Sequence, residues 1–131
     1  MINPGKILEH NTKKAKVNLH CLTDVHVGSK VFDRELFLKA IKTIKDDPNA
    51  LWFGNGDMLE FIPPNYHIPE GDQLFDNNEQ YSQFVKMVRP IMDKCVFMRG
   101  GNHDTLRSVR LAGIDIIRVL CDDLEVPYFP F

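Results

Sequence analysis

Three short apolar runs, each followed at once by a polar cluster that carries glycine, constrain this chain more than any other feature. The first run, residues 16–22, alternates with Val17, Leu19 and Cys21 on one side and passes into Asp24-Val25-His26-Val27-Gly28. Alternation of this kind marks a strand. The second, Leu51-Trp52-Phe53, passes into Gly54-Asn55-Gly56-Asp57-Met58-Leu59-Glu60. The third, Val96-Phe97-Met98, passes into Gly100-Gly101-Asn102-His103-Asp104. Short, wholly apolar runs are expected of strands covered on both faces.

Helical patterns separate the runs. Phe32, Leu36, Phe37, Ala40, Ile41 and Ile44 share one face of a helix, with Asp33 as its N-cap and Asp46-Asp47-Pro48 as its end. Tyr81, Phe84, Val85, Val88 and Met92 mark a second helix, with Pro90 as a kink or terminal turn. Ile114, Ile117, Cys121 and Leu124 align on a third, over about residues 113–123. An extended tail follows, over residues 126–131. Residues 6–9 form a candidate partner strand turned by Asn11-Thr12, and a long loop containing prolines runs over 58–76. The order strand, helix, strand, helix, strand, helix, strand predicts an α/β fold of strand–helix–strand units with a mixed, mainly parallel sheet.

With 131 residues the chain is one domain at most, and 44% hydrophobic and 26% charged residues argue against disorder. A formal net charge of −2 excludes a protein that coats nucleic acid by charge alone. No apolar run approaches the roughly 18 residues of a membrane span, and the polar start is no signal peptide. The odd set Cys21, Cys95 and Cys121, without a CxxC pair, predicts buried free thiols in a reducing compartment, hence a cytoplasmic protein.

In an open parallel α/β sheet, residues just beyond the carboxyl ends of the strands collect along one edge, where ligands bind. The three clusters therefore converge. Asp24, Asp57 and Asn102 offer hard oxygens and His26 a borderline nitrogen, a mixture suited to Mn, Fe or Zn. Taken singly, Asp24 and Asp57 are as readily turn or helix caps, and His26 a surface histidine. Taken together with Asn102-His103-Asp104, they point to a metal site.

Asp24-x-His26, then Gly56-Asp57-x-x-Glu60, then Gly101-Asn102-His103-Asp104 resemble the first three motifs of the calcineurin-like metallophosphoesterases. The resemblance runs from about residue 17 to residue 104. It implies a dinuclear centre of two divalent or trivalent transition metals (Mn, Fe or Zn) and hydrolysis of a phosphate mono- or diester, nucleic acid being one candidate substrate. It further implies that Asp24 and His26 bind the first metal, Asp57 bridges both, and Asn102 binds the second. His103 would protonate the leaving oxygen, Asp104 would orient His103, and Glu60, at a position where the family often has an acid, is a candidate substrate-binding residue against the plainer reading of a solvated loop acid. Arg107, with Arg99 and Arg110 beside it, is a candidate grip on phosphate, against the plainer reading of solvated charge at a helix start.

The family also has an isolated histidine and a Gly-His-x-His motif in its second half, whereas no histidine follows His103 in this chain. The family fold is a four-layer α/β/β/α sandwich, of which residues 1–131 would supply about half as a single, incomplete domain. The carboxy-terminal half of the domain, or a second copy, is then expected to cover the sheet. The alternative is a non-catalytic scaffold or binding subunit of the same fold. A nucleotide-binding module of another class would need a phosphate-cradling glycine loop, and neither GxxxxGK[ST] nor GxGxxG is present. His67 in the long loop is read as an exposed loop histidine that could overhang the site, Asn65-Tyr66 as residues that could stack on a base or ring, and His20 as structural.

Overall fold

Four strands, β1 (Asn18–Leu22), β2 (Ala50–Asn55), β3 (Cys95–Arg99) and β4 (Tyr128–Phe129), lie side by side in chain order, with each neighbouring pair parallel. The structure is a computed structural model and describes residues 7–63 and 73–130. Residues 64–72, which include Asn65, Tyr66 and His67, lie outside the described residues, as do Lys6 and Phe131. Leu19 pairs with Leu51 and Cys21 with Phe53 across β1 and β2; Phe53 pairs with Phe97 and Asn55 with Arg99 across β2 and β3.

The crossovers are helical. Helix α1 (Arg34–Asp46) opens on Asp33, whose side chain accepts the N–H of Leu36 at 2.9 Å, and it buries Phe37, Ile41 and Ile44. Helix α2 (Asn77–Val88) opens on Asp76, which accepts the N–H of Glu79 at 2.8 Å, and runs into a 3₁₀ turn, Arg89–Lys94, where Pro90 falls. The Lys94 ammonium donates to the carbonyls of Ile44, Lys45 and Asp47 at 2.7, 2.9 and 2.7 Å, which closes the carboxyl end of α1 with a cation. Trp52, fully buried at the centre of β2, donates its indole N–H to the Ile91 carbonyl at 2.8 Å. The core of Ile44, Trp52, Phe84, Ile91, Met98, Ile117 and Leu120 lies between the helices and one sheet face.

Parallel neighbours in chain order, joined by crossovers of one hand, put every helix on the same face. The burial pattern agrees. Ala50, Trp52 and Met98 are buried beneath the helices, while on the other face Leu19 is 60% exposed and Cys21 is exposed. Phe53, Phe97 and Phe129 form a row on that open face, with ring centroids 4.9 and 5.1 Å apart. The expectation of three buried thiols therefore holds only for Cys121; Cys95 is partly buried, and Cys21 sits on the uncovered side.

Two further details differ from the sequence reading. Residues 7–9 form no strand, and Ile7 is 84% exposed. The third helical region is longer and broken. A wide π-helical turn at Asn102–Arg107 leads into α3 (Ser108–Ala112). Gly113 ends α3 in the left-handed conformation at φ 69°, and α4 (Ile116–Asp123) restarts on the Asp115 cap. Asp115 also accepts from the Thr105 hydroxyl at 2.9 Å, so one side chain both caps α4 and ties it to the preceding turn. No helix among the described residues is long and apolar enough to cross a membrane.

Candidate metal centre

The three polar clusters meet beyond the carboxyl ends of β1, β2 and β3. Backbone bonds extend the β1–β2 pairing into both loops: Asp24 N–H donates to the Gly56 carbonyl at 3.1 Å, His26 to Asp57 at 3.0 Å and Val27 to Met58 at 2.9 Å. The third loop packs on the second at Gly101, where a Cβ would stand 2.2 Å from Asp57 Oδ1 and 2.4 Å from Asp57 N. Only a residue without a side chain admits that approach. On the far side, a Cβ at Gly28 would fall 2.4 Å from the side chain of Gln80, which is fully buried. Gln80 accepts the N–H of Phe61 at 2.9 Å and donates to the Phe75 carbonyl at 3.0 Å, so it shapes the loop below the site. Sequence reasoning missed this residue; the available signal was an amide on the apolar face of α2.

Asp24, His26 and Asp57 bring one ligand atom each within 4.8 Å of one another. All three have left-handed backbone, at φ 53°, 50° and 54°. Each such non-glycine residue costs about 1–3 kcal/mol and persists only where its surroundings impose it, most often at functional sites. Strain on three neighbouring candidate ligands argues against plain turn caps. Asp57 is 8% exposed and accepts the His103 backbone N–H at 2.8 Å, which aims one carboxylate oxygen at the third loop. Asp24 is exposed and accepts from the Thr23 hydroxyl at 2.5 Å.

Asn102 is exposed and lines a cavity of about 460 Å³ with Leu106, Arg107, Arg110 and Leu111. His103 stands edge-on to His26, ring centroids 4.6 Å apart. The carboxylate facing both rings is Glu60: Oε2 lies 2.9 Å from His26 Nδ1, and Oε1 lies 3.4 Å from His103 Nδ1. The shorter contact lacks hydrogen-bond alignment, which leaves the buried Nδ1 of His26 without an aligned partner. Asp104 does not orient His103. It is fully buried and accepts the N–H groups of Gly101 at 2.8 Å, Met58 at 2.7 Å and Leu59 at 3.3 Å, and so binds the third loop to the second. Burial raises its pKa to about 6 against the opposing pull of those backbone bonds. Arg99 ends β3 and is half-buried, whereas Arg110 is exposed.

The donor set fits a transition metal: carboxylates from Asp24 and Asp57 and an imidazole from His26, with no thiolate among them. His26, Glu60 and His103 also gather ligand atoms within 4.8 Å. There, however, the Glu60 carbonyl faces His103 Nδ1 at 3.1 Å and uses that nitrogen as a donor.

No protein-family profile matches the chain. The chain is similar to a curated protein described as DNA polymerase II small subunit from Thermoplasma acidophilum, with 30% identity over 111 residues. That match covers 79% of this chain and 22% of the relative, so the chain spans about a fifth of the relative's length.

Proposed function

We propose that this chain is the metal-binding part of a metallophosphoesterase-type subunit that works with a protein partner on nucleic acid. The observation that carries the proposal is the cluster of Asp24, His26 and Asp57, gathered within 4.8 Å on three left-handed residues. Asp24 and His26 would hold one ion, Asp57 would be shared with a second, and Asn102 would reach the second from the third loop. Manganese, iron and zinc suit these donors. When bound, such ions supply charge neutralisation at phosphorus and a hydroxide near neutral pH. The resemblance to a polymerase small subunit supports a partner chain and a nucleic-acid setting. Residues 1–131 are then one part of a larger metallophosphoesterase domain, completed by further chain or by a partner that covers the open sheet face. A reducing, cytoplasmic setting belongs to the same proposal and rests on three cysteines that form no disulfide.

The second reading is catalysis: hydrolysis of a phosphate mono- or diester. The observation favouring it is the cavity beside Asn102, where the exposed Arg110 matches phosphate in charge. His103 would then serve the leaving oxygen.

Metal titration of the full-length protein tests the first reading. Binding of Mn, Fe or Zn that Asp57→Ala abolishes and Asn102→Ala only weakens is the expected result. Retention of two ions by Asp57→Ala would overturn the assignment. Cleavage of an aryl phosphodiester by the metal-loaded protein separates the catalytic reading from the scaffold reading.

A further inference from the structure

His103 has partners on both ring nitrogens, and the two together leave no choice of proton. Nδ1 lies 3.1 Å from the Glu60 carbonyl oxygen, which only accepts. Nε2 lies 3.3 Å from Arg107 Nη2, and a guanidinium only donates. Nδ1 must therefore carry the proton, and Nε2 must present its lone pair. Arg107 cannot simply swing aside, because its other terminal nitrogen donates to the carbonyls of Glu60 at 3.2 Å and Phe61 at 3.3 Å. Phe61 is itself held at φ 44°, a left-handed turn in a buried residue, and its carbonyl is one of the two that receive the guanidinium. His103 and Arg107 are four residues apart on the wide turn that opens the third helical region, so the sequence puts them on one side of it.

We infer that Arg107 is a positioning residue that fixes His103 as the Nδ1–H tautomer, with Nε2 turned to the guanidinium. Arg107 is thereby assigned to the site's own frame and not, in this arrangement, to a grip on substrate. The consequence for chemistry rests on the phosphoesterase reading: His103 has no proton on Nε2 to give to a leaving oxygen until Arg107 moves off it. The tautomer itself can be measured without any activity, so its failure and the failure of the phosphoesterase reading are separate results.

Nitrogen-15 labelling of the histidines in the chelator-treated protein reads the tautomer directly, with the His103 signals identified by their loss in His103→Gln. The expected spectrum has a protonated, pyrrole-type Nδ1 and an unprotonated, pyridine-type Nε2 for His103. A pyrrole-type Nε2 in the wild type overturns the inference. Arg107→Met removes the donor, and both His103 nitrogens should then shift toward values averaged between tautomers. An unchanged pattern in a folded Arg107→Met protein would show that the Glu60 carbonyl suffices, which overturns the role of Arg107. If Arg107→Met does not fold, Arg107→Leu is the second variant; it also removes every donor, so the same averaging is expected and an unchanged pattern again overturns the role.

Discussion

The buried carboxylate of Asp104 accepts the backbone N–H of Met58 at 2.7 Å, across 46 positions of sequence. The same side chain holds Gly101 N–H and Leu59 N–H, so one residue fastens the loop after β3 to the loop after β2. The Gly101-Asn102-His103-Asp104 cluster thus has a structural member.

Burial raises the Asp104 pKa from 3.8 to about 6. Folding therefore favours its protonated form, and the native state binds more protons than the unfolded state between those values. With respect to this group, stability should be greatest below the unfolded value of 3.8 and fall by about 3 kcal/mol as pH rises from there through 6. Asp104→Asn should flatten that slope. Its amide nitrogen would confront the Gly101 N–H, at a cost of about 1–3 kcal/mol. Urea unfolding between pH 4 and 7, followed by the fluorescence of Trp52, the sole tryptophan, measures both effects.

Gly101→Ala should damage the site from outside the ligand set. The new methyl group would meet Asp57 Oδ1 and N at 2.2 and 2.4 Å, and the backbone atom cannot yield as a flexible side chain would. A stability loss of about 1–3 kcal/mol and weaker metal binding by calorimetry are expected. Gly113→Ala is the control: it has the strained φ of 69° but open space around the added carbon. It should cost about 1–2 kcal/mol and leave metal affinity unchanged.

Thiol labelling should report the open sheet face. Cys21 is exposed beside the Phe53–Phe97–Phe129 row, while burial pushes Cys121 up to about 12 and raises Cys95 as well. In the native protein an aromatic disulfide reagent should modify Cys21 first, with the other two thiols following only as the protein unfolds. An apolar face of this kind favours association, so protection of Cys21 that grows with protein concentration would register self-association there. Equal labelling rates for all three thiols would contradict the fold.

Much of the arrangement was legible in local pattern. Asp33 was recognisable as a cap because it precedes a helical stripe, and Leu51-Trp52-Phe53 as an inner strand because of its short apolar run, although only the Trp52 side is covered and the expected cover on both faces is absent. Topology followed from alternation, and convergence of Asp24, His26, Asp57 and the Asn102-His103-Asp104 cluster followed from topology. The expected third helix over about 113–123 is α4, which starts at Ile116 behind its Asp115 cap, whereas the wide turn at Asn102–Arg107 and α3 before it were not expected, because that stretch reads as a polar cluster followed by charge. The burial of Cys21 was misjudged because alternation shows that a strand has two faces, not which one the helices cover.

The sequence by itself determined the order of strands and helices and the three clusters at their ends, since both depend on spacing along the chain. Only the tertiary structure decided what each cluster residue touches. It gave Asp104 to backbone N–H groups, placed Glu60 between two imidazoles and set Arg107 on His103. It also held three candidate ligands in left-handed backbone and left one sheet face open. Those outcomes depend on how loops 30 to 50 residues apart close on one another, and through-space contact and desolvation carry no periodicity for a sequence to display.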